Sequence, residues 1–187
     1  MRSLLIVVLV GLMATPLLAQ PGEGRNTELS LSASYQNYST SEGTSSTYAL
    51  LFSPRMGFFF SDGFEFEPEL LMLLSTGTSA TYSLNANVSY NFIPSGKSMP
   101  FLLLGYGIAN TVPFLNVPLM RTDFSVGVLN VGAGVKEFLS EDIALRFEYR
   151  YQKYSGQGST SDYSYYTYTQ KVDTKIHTVQ LGVSVLL

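Results

Sequence analysis

From Glu28 to the end of the chain, polar and apolar side chains alternate with period two. In "ELSLSASYQ", Leu29, Leu31, Ala33 and Tyr35 oppose Ser30, Ser32, Ser34 and Gln36. "TYSLNANVSYNF" sets Tyr82, Leu84, Ala86, Val88, Tyr90 and Phe92 against Ser83, Asn85, Asn87, Ser89 and Asn91, and "TVQLGVSVLL" repeats the pattern near the end. A helix buries every third or fourth residue, so this alternation specifies half-buried strands. Eight such segments are predicted, over 27–38, 47–60, 64–75, 81–92, 100–110, 124–138, 143–154 and 173–187.

The connections fall into two classes. "SDG", "IPSGKSM" and "LSED" are short turns; "STSEGTSS", "STGTSA", "TVPFLNVPLMRTD" and "SGQGSTSDYSYYTYTQKV" are mostly longer and rich in Ser, Thr, Gly or Tyr. Short and long alternate, giving one tight end and one ragged end, the polarity of a barrel with periplasmic turns and extracellular loops. "FFFSDGFEFE" and "EFLSEDIALRFE" resemble each other as strand–turn–strand units with charges on one face, but no regular period links them, which excludes a solenoid.

Alternation alone also fits a water-soluble barrel with an apolar interior. Composition separates the two. Charged residues are 13% of the chain, against about 25% in soluble domains, and the polar face is mostly Ser, Asn, Gln, Thr and Gly, groups that fill a narrow lumen but cover a water-facing surface poorly. The apolar face is expected to carry aromatics at both ends: Phe58, Phe60, Phe64, Tyr90, Phe92 and Phe101 by the short turns, and Tyr35, Tyr48, Tyr82 and Tyr151 toward the long loops. Two aromatic girdles flanking an aliphatic band mark the two interfaces of a membrane. The fold expected is all-β, an eight-stranded antiparallel up-and-down transmembrane β-barrel.

The N-terminus agrees with export. Met1-Arg2 precedes the apolar "SLLIVVLVGLMATPLLA", a secretory signal peptide by pattern, broken by Gly11 and Pro16 and short for a spanning helix. Residues 1–19 read as signal peptide, 20–26 as linker and 27–187 as barrel, placing the protein in the outer membrane of a Gram-negative-type bacterium. The absence of Cys excludes disulfides and thiolate chemistry, and the net charge of −3 gives no basic footprint for nucleic acid.

"SPRMGFFFSDGFEFEPEL" resembles the second hairpin of small eight-stranded outer-membrane proteins of the OmpA/OmpX-like β-barrel class. "FLLLGYGIA" is similar to their Gly-rich fifth strand, and "VLNVGAGVKEFLSEDIALRFEYRYQ" to their penultimate hairpin. The likeness spans the barrel and rests on patterns of residue class, so it speaks to fold more than to role. The chain departs from it in ending on Leu187, where members usually end on an aromatic.

On this parity Arg55, Glu65, Glu67, Glu69, Lys136, Arg146, Glu148 and Arg150 point into the lumen, four acids and four bases, with Glu28 adding a fifth acid near the tight end. Counting from the turns makes Arg55 and Glu69 cross-strand neighbours and puts Glu67, Arg146 and Glu148 at comparable heights. A lone buried charge costs several kcal/mol, so an interior ion-pair network that plugs the barrel is the expected outcome. Catalysis would need a substrate path through that plug, and a metal would need acids well in excess of bases. No cofactor or metal site is expected.

His177, the single histidine, faces outward at the loop end of the last strand. Lipid A deacylases and palmitoyl transferases share this barrel and pair a His with a Ser, but the position two after His177 is Val179. Pro54 and Pro68, on lipid-facing positions of adjacent strands, predict a local bulge or bend. Gly105, Gly107, Gly132 and Gly134 make room for large inner side chains. Tyr163, Tyr165, Tyr166 and Tyr168 in the last long loop are either a recognition surface or a Tyr/Thr ribbon that extends the last two strands. The function expected is non-enzymatic, a structural or surface-interaction role through extracellular loops; the alternatives are a narrow gated channel and, less favoured, a lipid-modifying enzyme. The partners expected are outer-membrane lipid or lipopolysaccharide and a possible surface ligand, with the chain a monomer.

Overall fold

A computed structural model describes residues 26–39, 46–61, 63–76, 80–92, 97–111, 113, 126–161 and 167–187. The segment expected to be a signal peptide and nearly all of the expected linker lie outside these residues. Eight strands follow in chain order: β1 Thr27–Ser39, β2 Ser46–Ser61, β3 Phe64–Ser75, β4 Thr81–Asn91, β5 Ser98–Ala109, β6 Val126–Phe138, β7 Ile143–Ser161 and β8 Thr167–Leu186. Each pairs antiparallel with the next, and β1 closes on β8 from Glu28↔Leu186 to Ala33↔Leu181, making a closed barrel.

The period-two pattern becomes an inside and an outside. On β4, Thr81, Ser83, Asn85, Asn87, Ser89 and Asn91 are buried, while Tyr82, Leu84, Val88 and Tyr90 are exposed. Val179 is 70% exposed and Tyr35 66%, yet Arg146, Arg150 and Glu65 are wholly buried. This inverts the distribution of a water-soluble protein; apolar side chains can be left outside only if the surroundings are apolar too, and a closed barrel leaves no unpaired strand edge in them. At the tight end Phe60, Phe64, Tyr90 and Phe92 form a continuous aromatic row, with ring centroids 6.0, 4.8 and 4.9 Å apart in succession. At the other end Tyr35 stacks on Tyr48 at 6.2 Å. Between β2 and β3, Gly63 takes a φ of 80°, which glycine alone adopts without penalty, and its carbonyl accepts from the Asn91 amide at 2.6 Å.

The structure departs from the sequence-based expectations at the two prolines, in the last hairpin and at Phe101. The β2–β3 register is the same on both sides of Pro54 and Pro68, and it shifts only between Phe59 and Ser61. The bulge therefore sits at the turn; the β2–β3 ladder is interrupted at Pro54 and Pro68, but its register is unchanged on either side. β7 and β8 are 19 and 20 residues long, well beyond the expected 143–154 and 173–187, and pair as far as Ser161↔Thr167. A spanning strand needs about 9–11 residues, so this hairpin continues beyond the membrane as a two-stranded ribbon. Thr and Tyr are strong strand formers, which the Ser- and Gly-rich character of the segment obscured. Phe101, placed outside from sequence, is 1% exposed and faces the lumen. Every residue of "FLLL" is apolar, so alternation gives no parity there; the glycines two and three pairs further on do, since Gly105 and Gly107 share the side of Phe101.

Candidate functional site

The interior is layered, and its periplasmic half is ionic. Nearest the tight end, Lys136 of β6 reaches Glu28 at 2.5 Å and Glu65 at 2.9 Å. Above it Arg146 of β7 contacts Glu28 at 3.5 Å, Glu67 at 2.9 Å and Glu148 at 3.1 Å. β3 and β7 are four strands apart in an eight-stranded wall, so the Arg146–Glu67 pair bridges the lumen at its full width. Next come Arg55, 2.9 Å from Glu69 and 2.6 Å from Glu148, and Arg150, 2.6 Å from Glu69 and 2.5 Å from Glu148. The eight residues singled out from sequence, with Glu28, form one connected cluster. All nine are buried.

Four cations thus face five carboxylates, and neutral donors add hydrogen bonds to Glu69 and Glu65, although the buried Glu65 Oε1 has no hydrogen-bond partner. Asn85 and Asn87 each donate to Glu69 Oε2 at 3.1 Å, and Ser53 also donates to Glu69. Ser89 and Asn91 donate to Glu65 Oε2 at 3.2 and 3.0 Å. Arg55 donates its remaining terminal nitrogen to Gln180 Oε1 at 2.7 Å. Such satisfaction of buried charge by several hydrogen bonds is the condition under which an interior ion pair is tolerated.

Sequence reasoning missed the packing around these groups. The Phe101 ring lies under the Arg146 guanidinium, 4.3 Å from centroid to Cζ, and 5.7 Å from Lys136 Nζ, while Phe59 lies 5.5 Å from the same Nζ. These are cation–π distances. Gly134 opposite leaves the space for Phe101: a Cβ there would run into the ring and into the Phe147 carbonyl. Gly105 and Gly107 do the same for the Asn87 and Asn85 amides.

The extracellular half of the lumen holds two apolar clusters beside the buried Ser34, Thr81 and Ser83, where a mainly polar lining was expected. Ala49, Leu51, Leu71 and Leu73 cluster on the β2–β3 side, and Ala109, Val126, Val128, Tyr154 and Ile176 on the opposite side. β3 shows the change within one strand: its inward positions read Glu65, Glu67, Glu69, Leu71, Leu73. The run "LLMLL" is apolar on both faces, which is why its parity was hidden. Asn130 links the layers, accepting from Gln152 at 2.8 Å and donating to Asn87 at 3.4 Å.

Outside, His177 is exposed as expected. Its Nδ1 shares a 2.6 Å hydrogen bond with the Tyr149 hydroxyl, and the Tyr151 ring is 5.1 Å away. Its side-chain partners among the described residues are therefore tyrosines. Of the four tyrosines considered for recognition, Tyr163, Tyr165 and Tyr166 lie outside the described residues; Tyr168 is on β8, opposite Thr160 in the ribbon. Among the described residues no cluster of His, Asp and Glu has the arrangement of a metal site.

A family model for the outer membrane protein beta-barrel domain matches residues 5–185. The chain belongs to that family. No curated protein matches it in sequence at a significant level. Among solved structures it is similar to Neisserial surface protein A (NspA), with a TM-score of 0.58, 16% identity and coverage of 86% of this chain and 97% of that one. The N-terminal β-barrel domain of OprF from Pseudomonas aeruginosa gives 0.56 and 14%, covering 88% and 100%. A de novo designed transmembrane β-barrel gives 0.54 and 12%, covering 90% and 100%. At these identities the likeness is one of fold. This outer-membrane barrel meets lipid with its apolar outer face, and its short turns mark the periplasmic end.

Proposed function

We propose that this outer-membrane barrel is non-enzymatic and has a structural or surface-interaction role, its lumen closed and its extracellular ribbon and loops the working part. The observation that carries this reading is the two-layer interior. A charge network spans the lumen from β3 to β7, and above it lie apolar side chains from opposite walls. An ion crossing would have to displace the first and dehydrate in the second. With the interior closed, the parts able to meet a partner are those beyond the outer leaflet, of which the β7–β8 ribbon is the longest described. A two-stranded ribbon of this kind offers strand edges to a surface partner.

The second reading, a narrow gated conductance, rests on the sharing within the network. Glu148 is within 3.1 Å of Arg55, Arg146 and Arg150, so partners could exchange without stranding a charge. Planar-bilayer recording of the refolded chain separates the two. The closed reading expects no conductance steps at moderate voltage, and regular steps would overturn it in favour of the channel.

A further inference from the structure

The outward face of the β7–β8 hairpin changes character with height. Going up β7 it passes from Phe147 through Tyr151 to Lys153, and going up β8 from Leu181 through His177 to Lys175. Lys153 is the sixth outward position from the periplasmic start of β7 at Ile143, about ten residues up, which is the span of the hydrocarbon core. The two lysines therefore stand at the headgroup level of the outer leaflet, directly above an aromatic belt. They are the only outward-facing Lys or Arg on the extracellular half among the residues whose side chains are described.

Their pairing is unusual. Lys153 and Lys175 are direct cross-strand partners, an arrangement that like charges disfavour. Asp173 offsets it in part, its carboxylate 3.9 Å from Lys153 Nζ, but Lys175 is exposed and has no ion-pair partner among the described residues. The set of Lys153, Asp173 and Lys175 carries a formal charge of +1. Two neighbouring ammonium groups suit an anion whose several oxygens can bridge them, and the Tyr149-anchored His177 below offers a polar ring at the depth of the sugar or glycerol that would bear it.

We propose that Lys153 and Lys175, with His177 beneath them, bind the phosphate of an outer-leaflet lipid. The acyl chains lie along the aliphatic band of β7 and β8, and the phosphate bridges the two ammonium groups. The proposal uses the outer wall alone and is independent of whether the lumen conducts.

The test is a titration of the full refolded chain in neutral detergent with lipid A, read by native mass spectrometry. Replacing both lysines (Lys153→Gln with Lys175→Gln) should weaken binding about 30-fold, two interfacial cations at about 1 kcal/mol each. Lys175→Gln alone should weaken it about fivefold, and it serves as the readout should the double variant fail to fold. Lys97→Gln, at the periplasmic end, should change nothing, and lipid A stripped of its phosphates should bind no better than the double variant binds lipid A. Inorganic phosphate in excess should leave the lipid bound, because the acyl contacts are absent from the free anion. Equal binding by wild type and the lysine variants, equal binding of the stripped lipid, or displacement by inorganic phosphate would each overturn the proposal.

Discussion

Arg55 and Glu148 are separated by 93 positions in the chain and by three strands around the wall, yet Arg55 Nη1 lies 2.6 Å from Glu148 Oε2. Glu148 also holds Arg146 and Arg150, so one carboxylate is the common partner of three buried guanidinium groups. Pairing of this kind ties β2 to β7 through the interior, independently of the ladder that ties each strand to its neighbours. A one-residue slip of either strand would turn its charged side chain out into lipid.

Removing that carboxylate should be costly. Glu148→Ala takes a partner from three of the four buried cations, and breaking a buried pair from one side costs about 3–5 kcal/mol. Urea unfolding in lipid vesicles should show the midpoint fall by the corresponding amount, with Glu148→Gln less affected because its amide oxygen still accepts. A variant as stable as wild type would mean that the network contributes nothing to the fold.

The ring beneath Arg146 makes a separable contribution. Phe101→Leu keeps an apolar side chain of nearly the same size in the lumen but removes the π face. The expected loss is about 0.5–2 kcal/mol, and it should shrink when Arg146 is already replaced by Met. Equal losses in both backgrounds, measured as a double-mutant cycle, would assign the effect to packing alone.

The ribbon above the membrane should be dispensable for folding. Ser155 and Asp173 are partners in register, so joining the strands there by a two-residue turn removes the protruding section and leaves the ladder below it intact. The shortened chain should keep the difference in SDS-gel mobility between unboiled and boiled samples that a folded barrel shows. Loss of that difference would show that the ribbon is needed to close the last hairpin.

How much of this was legible in sequence depended on whether the two faces of a strand differed chemically. On β4 they differ at nearly every step, and the strand bounds and inward set could be read directly. The same was true of Glu65, Glu67 and Glu69, whose carboxylates cannot face lipid, and counting from the centre of the "SDG" turn sufficed to put Glu69 opposite Arg55. Where both faces are apolar the signal vanishes, as at Phe101 and at Leu71 and Leu73, and the apolar layer of the lumen went unseen. Glycine parity on β5 carried the missing information, because a side chain at Gly105 or Gly107 would strike the Asn87 or Asn85 amide. The ribbon was one of two readings left open for the last loop: its Ser, Gly and Thr are common to loops and to solvated strands, and only the pairing of β7 with β8 decides between them.

Closure of the lumen can be measured directly, because the chain lacks cysteine. Single cysteines placed at Asn87 in the ionic layer, at Leu71 and Val128 in the apolar layer, and at exposed Tyr48 can be challenged with a small charged thiol reagent in the folded barrel. A closed lumen gives rapid modification at Tyr48→Cys and protection at the three interior positions until the barrel is unfolded. Modification of the interior cysteines at a rate approaching that of Tyr48→Cys would contradict it and would mean that a continuous aqueous path runs through the barrel.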